Sequence, residues 1–212
     1  TNHFVNPLWD DDEINQKRKS ELTTMTRYKR AKTLLTDKSA EMNPTEMLEI
    51  LRDKFVGGKV RLAHRSAIDA LIASHSVIYD MEKRSLYVST GPSLVGEFIG
   101  IDLQQSFKTK APVGVGNLSK DPLLDAKDYA EIRRSIGKLE IIGLVKKCDL
   151  IKDELSRVPD FLRNHYKLYF AEAIYQRCIG NREESQKRLK KSLEELPAYG
   201  REIEWVEEQI KK

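Results

Sequence analysis

Hydrophobic residues change their spacing twice along the chain, and these changes predict where strands and helices lie. Between residues 75 and 103 the hydrophobic positions are mostly β-branched or aromatic and fall in short runs. This predicts strands at residues 75–80, 85–89 and 98–103. The charged four-residue link between the first two runs indicates a hairpin. Residues 1–4 are predicted to form the end of a further extended segment.

The part of the chain that precedes these strands follows a helical pattern. Residues 13–35 are predicted to form a helical region with Arg27 inside it. A second helix is predicted to begin at Asn43, which suits the N-cap, and at Pro44, which suits the first helical position. The pair Gly57-Gly58 is expected to end this helix.

Glycines punctuate the segment around the third strand. Gly96 and Gly100 are interpreted as weak points or bulges. Residues 108–118 are predicted to be a loop. Gly114 and Gly116 in that loop lack the third glycine and the following lysine of a phosphate-binding loop, so no such site is predicted.

From about residue 125 the pattern is helical to the end of the chain. Ile132, Ile136 and Leu139 form one hydrophobic stripe, and Gly137 beside them would allow close packing or a kink. A final helix is predicted over residues 199–210. Its hydrophobic stripe consists of Tyr199, Ile203, Val206 and Ile210.

Between these two helices lies a predicted helical pair, formed by residues 161–179 and 181–196 and joined at Gly180-Asn181. It resembles one tetratricopeptide-type repeat. Small residues would let its two helices approach closely, namely Ala171, Ala173 and Ser185. Because a single unit cannot form the concave groove of a repeat array, the pair is expected to dock onto the rest of the chain, with the final helix covering its exposed face.

Composition narrows the classes of function. The chain has 212 residues, with 37 basic and 33 acidic side chains and a net charge of +4. These charges are spread along the chain, which gives no support for a nucleic-acid partner. No apolar run approaches the roughly 18 residues that a membrane span needs. No signal peptide is visible, and the sequence leaves the compartment open, exported or cytoplasmic.

Potential metal ligands and thiols form no strong motif. The acidic run at residues 10–13 is interpreted as the solvated start of a helix, because cation-binding loops space their ligands and need a glycine turn. The four histidines share no metal-binding spacing, and His165 is expected in the core or at an interface. Cys148 and Cys178 could pair, but two buried free thiols are the expected state.

Asn2 and Arg27 are the strongest candidates for chemistry. An amide side chain at the end of a strand and a guanidinium on the next helix can face one pocket and hold an oxyanion or an acyl substrate. Each residue also has an ordinary structural interpretation, as a strand-end residue that bonds a turn and as a surface arginine.

The surroundings of these two residues resemble a family. Thr-Asn-x-Phe around Asn2, followed by Thr-Arg-Tyr-x-Arg-Ala around Arg27, resembles the second half of the N-terminal-nucleophile amide hydrolases. The nearest branches are the acyl-CoA:6-aminopenicillanate acyltransferase-like proteins, the choloylglycine hydrolases and the ceramidases. The hairpin, with His-Ser-Val-Ile-Tyr-Asp and then Leu-Tyr-Val-Ser-Thr-Gly, is similar to the acyltransferase branch. The resemblance covers roughly residues 1–105.

The resemblance implies a fold and a reaction. The implied fold is α+β, with residues 1–120 forming part of an αββα sandwich and residues 121–212 forming a helical extension. In the family the nucleophile is a cysteine that autoproteolysis exposes at a chain start, and an asparagine lines the oxyanion hole. Asn2 would take that oxyanion role, and Arg27 would support the active site. The nucleophilic cysteine would then lie on a segment upstream of this chain.

The same resemblance implies small N-acyl amides or acyl-CoA as substrates and no metal or cofactor. Two alternatives stay open. Thr1 could itself be the nucleophile, with its free α-amine as the base. The chain could instead be a helical interaction module without catalysis. A homo-oligomer is compatible with the sequence in either case.

Overall fold

The computed structural model describes residues 5–21, 23–37, 41–142, 147–195, 197–198 and 200–211. Over these residues the fold is mixed α+β, as predicted, with two small antiparallel sheets between helical segments. The helices are α1 (Glu13–Glu21), α2 (Thr24–Thr36), α3 (Pro44–Leu51), α4 (Leu103–Thr109), α5 (Ala126–Ile142), α6 (Cys148–Ser156), α7 (Tyr166–Cys178), α8 (Arg182–Glu194) and α9 (Gly200–Lys211). The strands are β1 (Phe55–Val56), β2 (Lys59–Val60), β3 (Val77–Asp80), β4 (Ser85–Ser89) and β5 (Phe98–Asp102). Two short 3-10 helices lie at Pro7–Trp9 and Asp160–Leu162.

The predicted helical region at residues 13–35 consists of two helices, α1 and α2. The acidic run lies at the start of α1, where the Asp12 carboxylate accepts a hydrogen bond from the Asn15 backbone N–H at 2.7 Å. Asp10 pairs with Lys19 at 2.6 Å. These carboxylates therefore cap and pair with the helix that follows them, as the structural interpretation predicted.

Helix α3 begins where the sequence predicted but ends earlier. The Asn43 side chain accepts from the Glu46 N–H, and the Glu46 side chain accepts from the Asn43 N–H, so the two form a capping box. The prediction that Gly57-Gly58 ends this helix was wrong. Both glycines have positive φ and form the turn of the β1–β2 hairpin, four residues beyond the helix end region at Arg52 and Asp53.

The larger sheet has the order β3–β4–β5, and all its pairs are antiparallel. The predicted hairpin and third strand are confirmed, with small differences at their ends. One face of the sheet, here called the inner face, packs against α3 through Ile78, Tyr87 and Phe98. The other face, here called the outer face, carries six apolar residues: Val77, Tyr79, Leu86, Val88, Ile99 and Ile101.

Two interpretations around the third strand need correction. A Cβ on Gly100 would lie 2.1 Å from the Gly116 carbonyl oxygen, and one on Gly96 would lie 2.1 Å from the Gly91 carbonyl oxygen. These glycines are sites of close backbone approach, and neither interrupts the ladder as a bulge. The predicted loop at 108–118 is also partly ordered, because its end runs beside β5 through the bridges Phe98↔Leu118 and Ile101↔Gly114.

Helices α5 to α9 form the second half of the fold. Ile132, Ile136 and Leu139 on α5 are buried together, as their spacing predicted. The α7–α8 pair turns at Gly180-Asn181, where Gly180 has φ +82 and the Asn181 side chain caps α8. Helix α9 packs Val206 against this pair, and Tyr199 lies outside the described residues.

The small residues of the α7–α8 pair permit a direct contact between the two helices. The Ser185 hydroxyl donates to the Ala173 carbonyl at 2.9 Å, and both residues are buried. A hydroxyl can reach a backbone carbonyl of a neighbouring helix only where the two backbones are close. The predicted close approach at these positions is therefore confirmed.

The expectation of two buried free thiols was wrong. Cys148 and Cys178 form a disulfide with a Cα–Cα distance of 5.7 Å, across 30 residues of sequence. The tertiary structure explains the pairing, because it places the first residue of α6 beside the last residue of α7. Both side chains are half-buried.

The main hydrophobic core contains residues from both sides of position 120. Ala63, Leu71 and Val95 belong to the same buried cluster as Ile132 and Leu168. The division into residues 1–120 and 121–212 stays a prediction. A second large sheet is not present among the described residues, so the αββα sandwich also stays a prediction.

Candidate functional site

Two of the three predicted site residues, Thr1 and Asn2, lie outside the described residues, as does the predicted strand at 1–4. The third, Arg27, is half-buried in the first turns of α2, where its backbone N–H donates to the Thr23 carbonyl at 3.2 Å. The pocket predicted between Asn2 and Arg27 therefore stays a prediction.

The second arginine of the Thr-Arg-Tyr-x-Arg-Ala segment, Arg30, attaches α2 to the chain that follows α3. Its Nε and Nη2 donate to the two carboxylate oxygens of Asp53 at 3.1 and 2.7 Å. The guanidinium also lies 4.9 Å from the centroid of the Phe55 ring. The hydrogen bond from Asp53 raises the pKa of Arg30 above its usual value. This residue fixes the position of the helix that carries Arg27.

A buried ion network lies on the far side of Asp53. Lys54 Nζ is 2.6 Å from a carboxylate oxygen of Asp121 and 2.9 Å from one of Asp69, and all three side chains are almost completely buried. Arg52 lies beside them and donates to the backbone carbonyls of Leu94, Gly96 and Ser119. Burial lowers the pKa of Arg52, and the carboxylates of Asp121 and Asp69 oppose that shift.

The sequence gave no reason to connect His64 with His165, but the structure brings them together around one tyrosine ring. The Tyr166 ring stacks on His165 with centroids 4.7 Å apart and meets His64 edge-on at 5.5 Å. His165 is the N-cap of α7, because its Nδ1 accepts from the Lys167 backbone N–H at 3.2 Å. No pattern of spacing could reveal this cluster, since the two histidines come from segments about one hundred residues apart.

Burial dominates the protonation of His165. It lowers the pKa of the ring to about 3, and the charges of His64, Lys167 and Arg61 lower it further, while the Ala63 backbone acts in the opposite direction. The ring is therefore neutral at ordinary pH. Because Nδ1 accepts a hydrogen bond, the proton of the neutral ring lies on Nε2.

A cleft of about 510 Å³ opens beside these histidines. Its charged groups are Lys59, Arg61 and Glu195. Lys59 Nζ lies 2.7 Å from a Glu195 carboxylate oxygen, and Arg61 Nη1 contacts the same carboxylate. Hydrogen bonds from Lys59 and Arg61 oppose the effect of burial on Glu195, and the net result is a lowered pKa. The cleft thus contains a charged carboxylate between two cations.

Comparison of the chain with protein-family models, with curated proteins and with solved structures finds no match in any of the three. Function must therefore be argued from the residues and their geometry.

Two classes of site have no support among the described residues. In that part of the chain, no group of three or more histidine, cysteine, aspartate or glutamate side chains has a metal-binding arrangement. Nor does any described helix combine the length and the apolar character that a bilayer crossing requires.

Proposed function

We propose that this chain is part of an N-terminal-nucleophile amide hydrolase or acyltransferase that acts on linear amides or acyl donors. The observation that supports the proposal is the outer face of the β3–β4–β5 sheet. An αββα sandwich needs a sheet with a helix layer on one face and a second sheet on the other. The inner face already packs against α3, which leaves the outer face for a partner sheet.

The residues of the outer face lie in two straight rows across the three strands. Val77, Val88 and Ile99 are directly paired in one row, and Tyr79, Leu86 and Ile101 are paired in the other. Val77, Tyr79 and Ile99 are exposed, and the other three are half-buried. Six apolar side chains in register form the kind of surface on which a second sheet packs at about 10 Å. On a free surface such a patch would be unusual.

The disulfide constrains where the nucleophile can come from. The chain has two cysteines, Cys148 and Cys178, and both are consumed in the same bond. A thiolate nucleophile must therefore belong to a segment other than this one. The proposal places it on an upstream segment that also supplies the partner sheet.

The proposed reaction proceeds in two steps. The thiolate attacks the carbonyl carbon of the substrate, and the Asn2 amide donates a hydrogen bond to the oxyanion that forms. The C–N bond then breaks, the amine leaves with a proton, and the acyl group remains as a thioester. Water or an amine attacks the thioester and regenerates the thiolate. Arg27 is proposed to support the floor of this pocket.

The experiment that tests this function begins with intact mass and N-terminal sequencing of the protein expressed from its full gene. We expect an upstream chain that begins with cysteine and copurifies with this one. Asn2→Ala should then lower kcat for a chromogenic N-acyl amide by about 10²–10³, because one oxyanion donor is lost. Asn117→Ala, at an exposed loop position, is the matched control and should leave kcat unchanged.

A protein that lacks any cysteine-initiated segment would rule out the thiolate mechanism. Thr1→Ala would then test the alternative nucleophile. The described helices give no specific support for a purely interacting module, because the apolar residues of α7, α8 and α9 pack on one another through Phe170, Leu189 and Val206.

A further inference from the structure

The cleft beside His165 and Arg61 has hydrogen-bonding capacity that the described residues do not use. Arg61 donates through Nε to the Val56 carbonyl and through Nη1 to Glu195, and its Nη2 makes no hydrogen bond within the described chain. The His165 ring is 7% exposed, and its Nε2 reaches no acceptor with hydrogen-bond geometry among the described residues. A buried N–H without an acceptor is unfavourable by about 1–3 kcal/mol, so such groups are normally satisfied.

The electrostatic balance of the cleft is positive. Lys59 and Arg61 each contribute one positive charge and Glu195 contributes one negative charge, which leaves a net charge of +1. The Lys59 side chain is about half exposed and can turn from Glu195 towards a ligand. A monoanion would balance this charge. A dianion such as phosphate would be repelled by the Glu195 carboxylate, which is already present.

Part of the wall is apolar. Val60, Leu62 and Phe161 line the cleft together with the charged and polar groups. Such a combination of a few placed donors with hydrophobic lining is typical of sites for small organic ligands. It favours an anion that carries a hydrocarbon portion over a small inorganic ion.

We propose that this cleft binds a small organic monocarboxylate, with its carboxylate at Arg61, Lys59 and His165 and its hydrocarbon portion against Val60 and Phe161. The planar carboxylate accepts from Arg61 Nη2 and from the neutral His165 Nε2–H. Lys59 supplies the second positive charge. The site is independent of the amide chemistry proposed above, so the failure of either proposal leaves the other unaffected.

The test is a titration of the full chain with sodium benzoate, followed by amide chemical shifts and by calorimetry. We expect a Kd of about 1 mM, which is typical for a ligand of this size. Inorganic phosphate, titrated in the same buffer at the same ionic strength, should bind at least several-fold more weakly. The shifts should concentrate at residues 59–64 and 161–167.

Two variants assign the binding to this cleft. His165→Asn keeps an N-cap acceptor for α7 and removes the Nε2 donor, and it should weaken benzoate binding by about 3–10-fold. Lys59→Gln removes one cation and should weaken binding similarly. Lys152→Gln, which removes an exposed lysine on α6, is the matched control and should bind like the wild type.

Circular dichroism and thermal unfolding establish that each variant is folded before its affinity is compared. The proposal is overturned if the wild-type chain binds no benzoate at 20-fold above the expected Kd, roughly 20 mM. It is equally overturned if phosphate binds as tightly as benzoate, or if both cleft variants bind benzoate like the control.

Discussion

Gly100 and Gly137 lie in regular elements, but their surroundings at the residue scale are opposite. A Cβ on Gly100 would meet the Gly116 carbonyl oxygen at 2.1 Å and the Tyr87 ring at 2.8 Å. A Cβ on Gly137 would meet no atom within 4 Å. The sequence suggested that Gly137 allows close packing or a kink, but its open surroundings contradict the close packing. Only a tertiary contact shows which glycine is required.

We therefore predict opposite effects for the same substitution. Gly100→Ala should destabilise the protein by about 2–3 kcal/mol, because the backbone of the 114–118 segment has to move. Gly137→Ala should stabilise it by about 0.5–1 kcal/mol, because alanine is the better helix former. Urea unfolding of both variants checks the prediction, and equal effects would contradict it.

His165 makes stability depend on pH in a defined window. The ordinary pKa of 6.5 applies in the unfolded chain, whereas the folded pKa is about 3. Between these values the unfolded chain binds a proton that the folded protein does not bind. The contribution of His165 is therefore fully present above about pH 6.5 and is lost as the pH falls through that window.

This sign leads to a measurable difference. On going from pH 7 to pH 5.5, the wild type should lose about 1 kcal/mol more unfolding free energy than His165→Asn, which has no titrating ring. Chemical denaturation at the two pH values measures the change, and comparison with the variant subtracts the other titrating groups. Identical losses in both proteins would show that the ring is not buried in its neutral form.

At the scale of elements, the two faces of the larger sheet provide a matched comparison. Ile78 on the inner face is 6% exposed, and Ile99 on the outer face is 46% exposed. Ile78→Thr should destabilise this chain by about 2–3 kcal/mol, because it places a hydroxyl in the core. Ile99→Thr should change stability by less than about 0.5 kcal/mol.

The same pair also examines the proposed partner sheet. In the protein expressed from the full gene, a sheet over the outer face would bury Ile99, and Ile99→Thr should then be destabilising by about 1–2 kcal/mol. Thermal unfolding of both forms measures this. A small effect in both forms would argue against coverage of the outer face.

The elements themselves were largely predictable, because their signals are local. The N-cap at Asn43, the β3–β4 hairpin and the turn at Gly180-Asn181 each depend on residues within a few positions of one another. The error at Gly57-Gly58 has the same origin. A Gly-Gly pair fits a helix end and a hairpin turn equally well, and only the pairing of Val56 with Lys59 distinguishes them.

At the scale of the whole molecule, the Lys54 network joins three segments that are far apart in sequence. Lys54, Asp69 and Asp121 bring together the chain after α3, the approach to β3 and the approach to α5. The network lies beside the predicted boundary at residue 120. It contributes to one structure that includes residues from both predicted parts.

Removal of the central cation should therefore be severe. Lys54→Met should destabilise the protein by about 3–5 kcal/mol, because it leaves two buried carboxylates without their cation. Lys138→Met, which breaks an exposed pair with Glu154, is the matched control and should change stability by less than about 1 kcal/mol. Urea unfolding decides between them, and a mild effect of Lys54→Met would mean that water reaches the carboxylates.

The sequence by itself determined the mixed α+β class, the strands of the larger sheet, the buried stripe of α5 and the α7–α8 pair. These features follow from hydrophobic periodicity and from turn and capping residues, whose physical effects extend over only a few positions. The tertiary structure decided the disulfide Cys148–Cys178, the Lys54 network and the meeting of His64 with His165. Each of these depends on which distant segments pack together, because the energies of buried charges, thiols and rings are set by neighbours that no local pattern specifies.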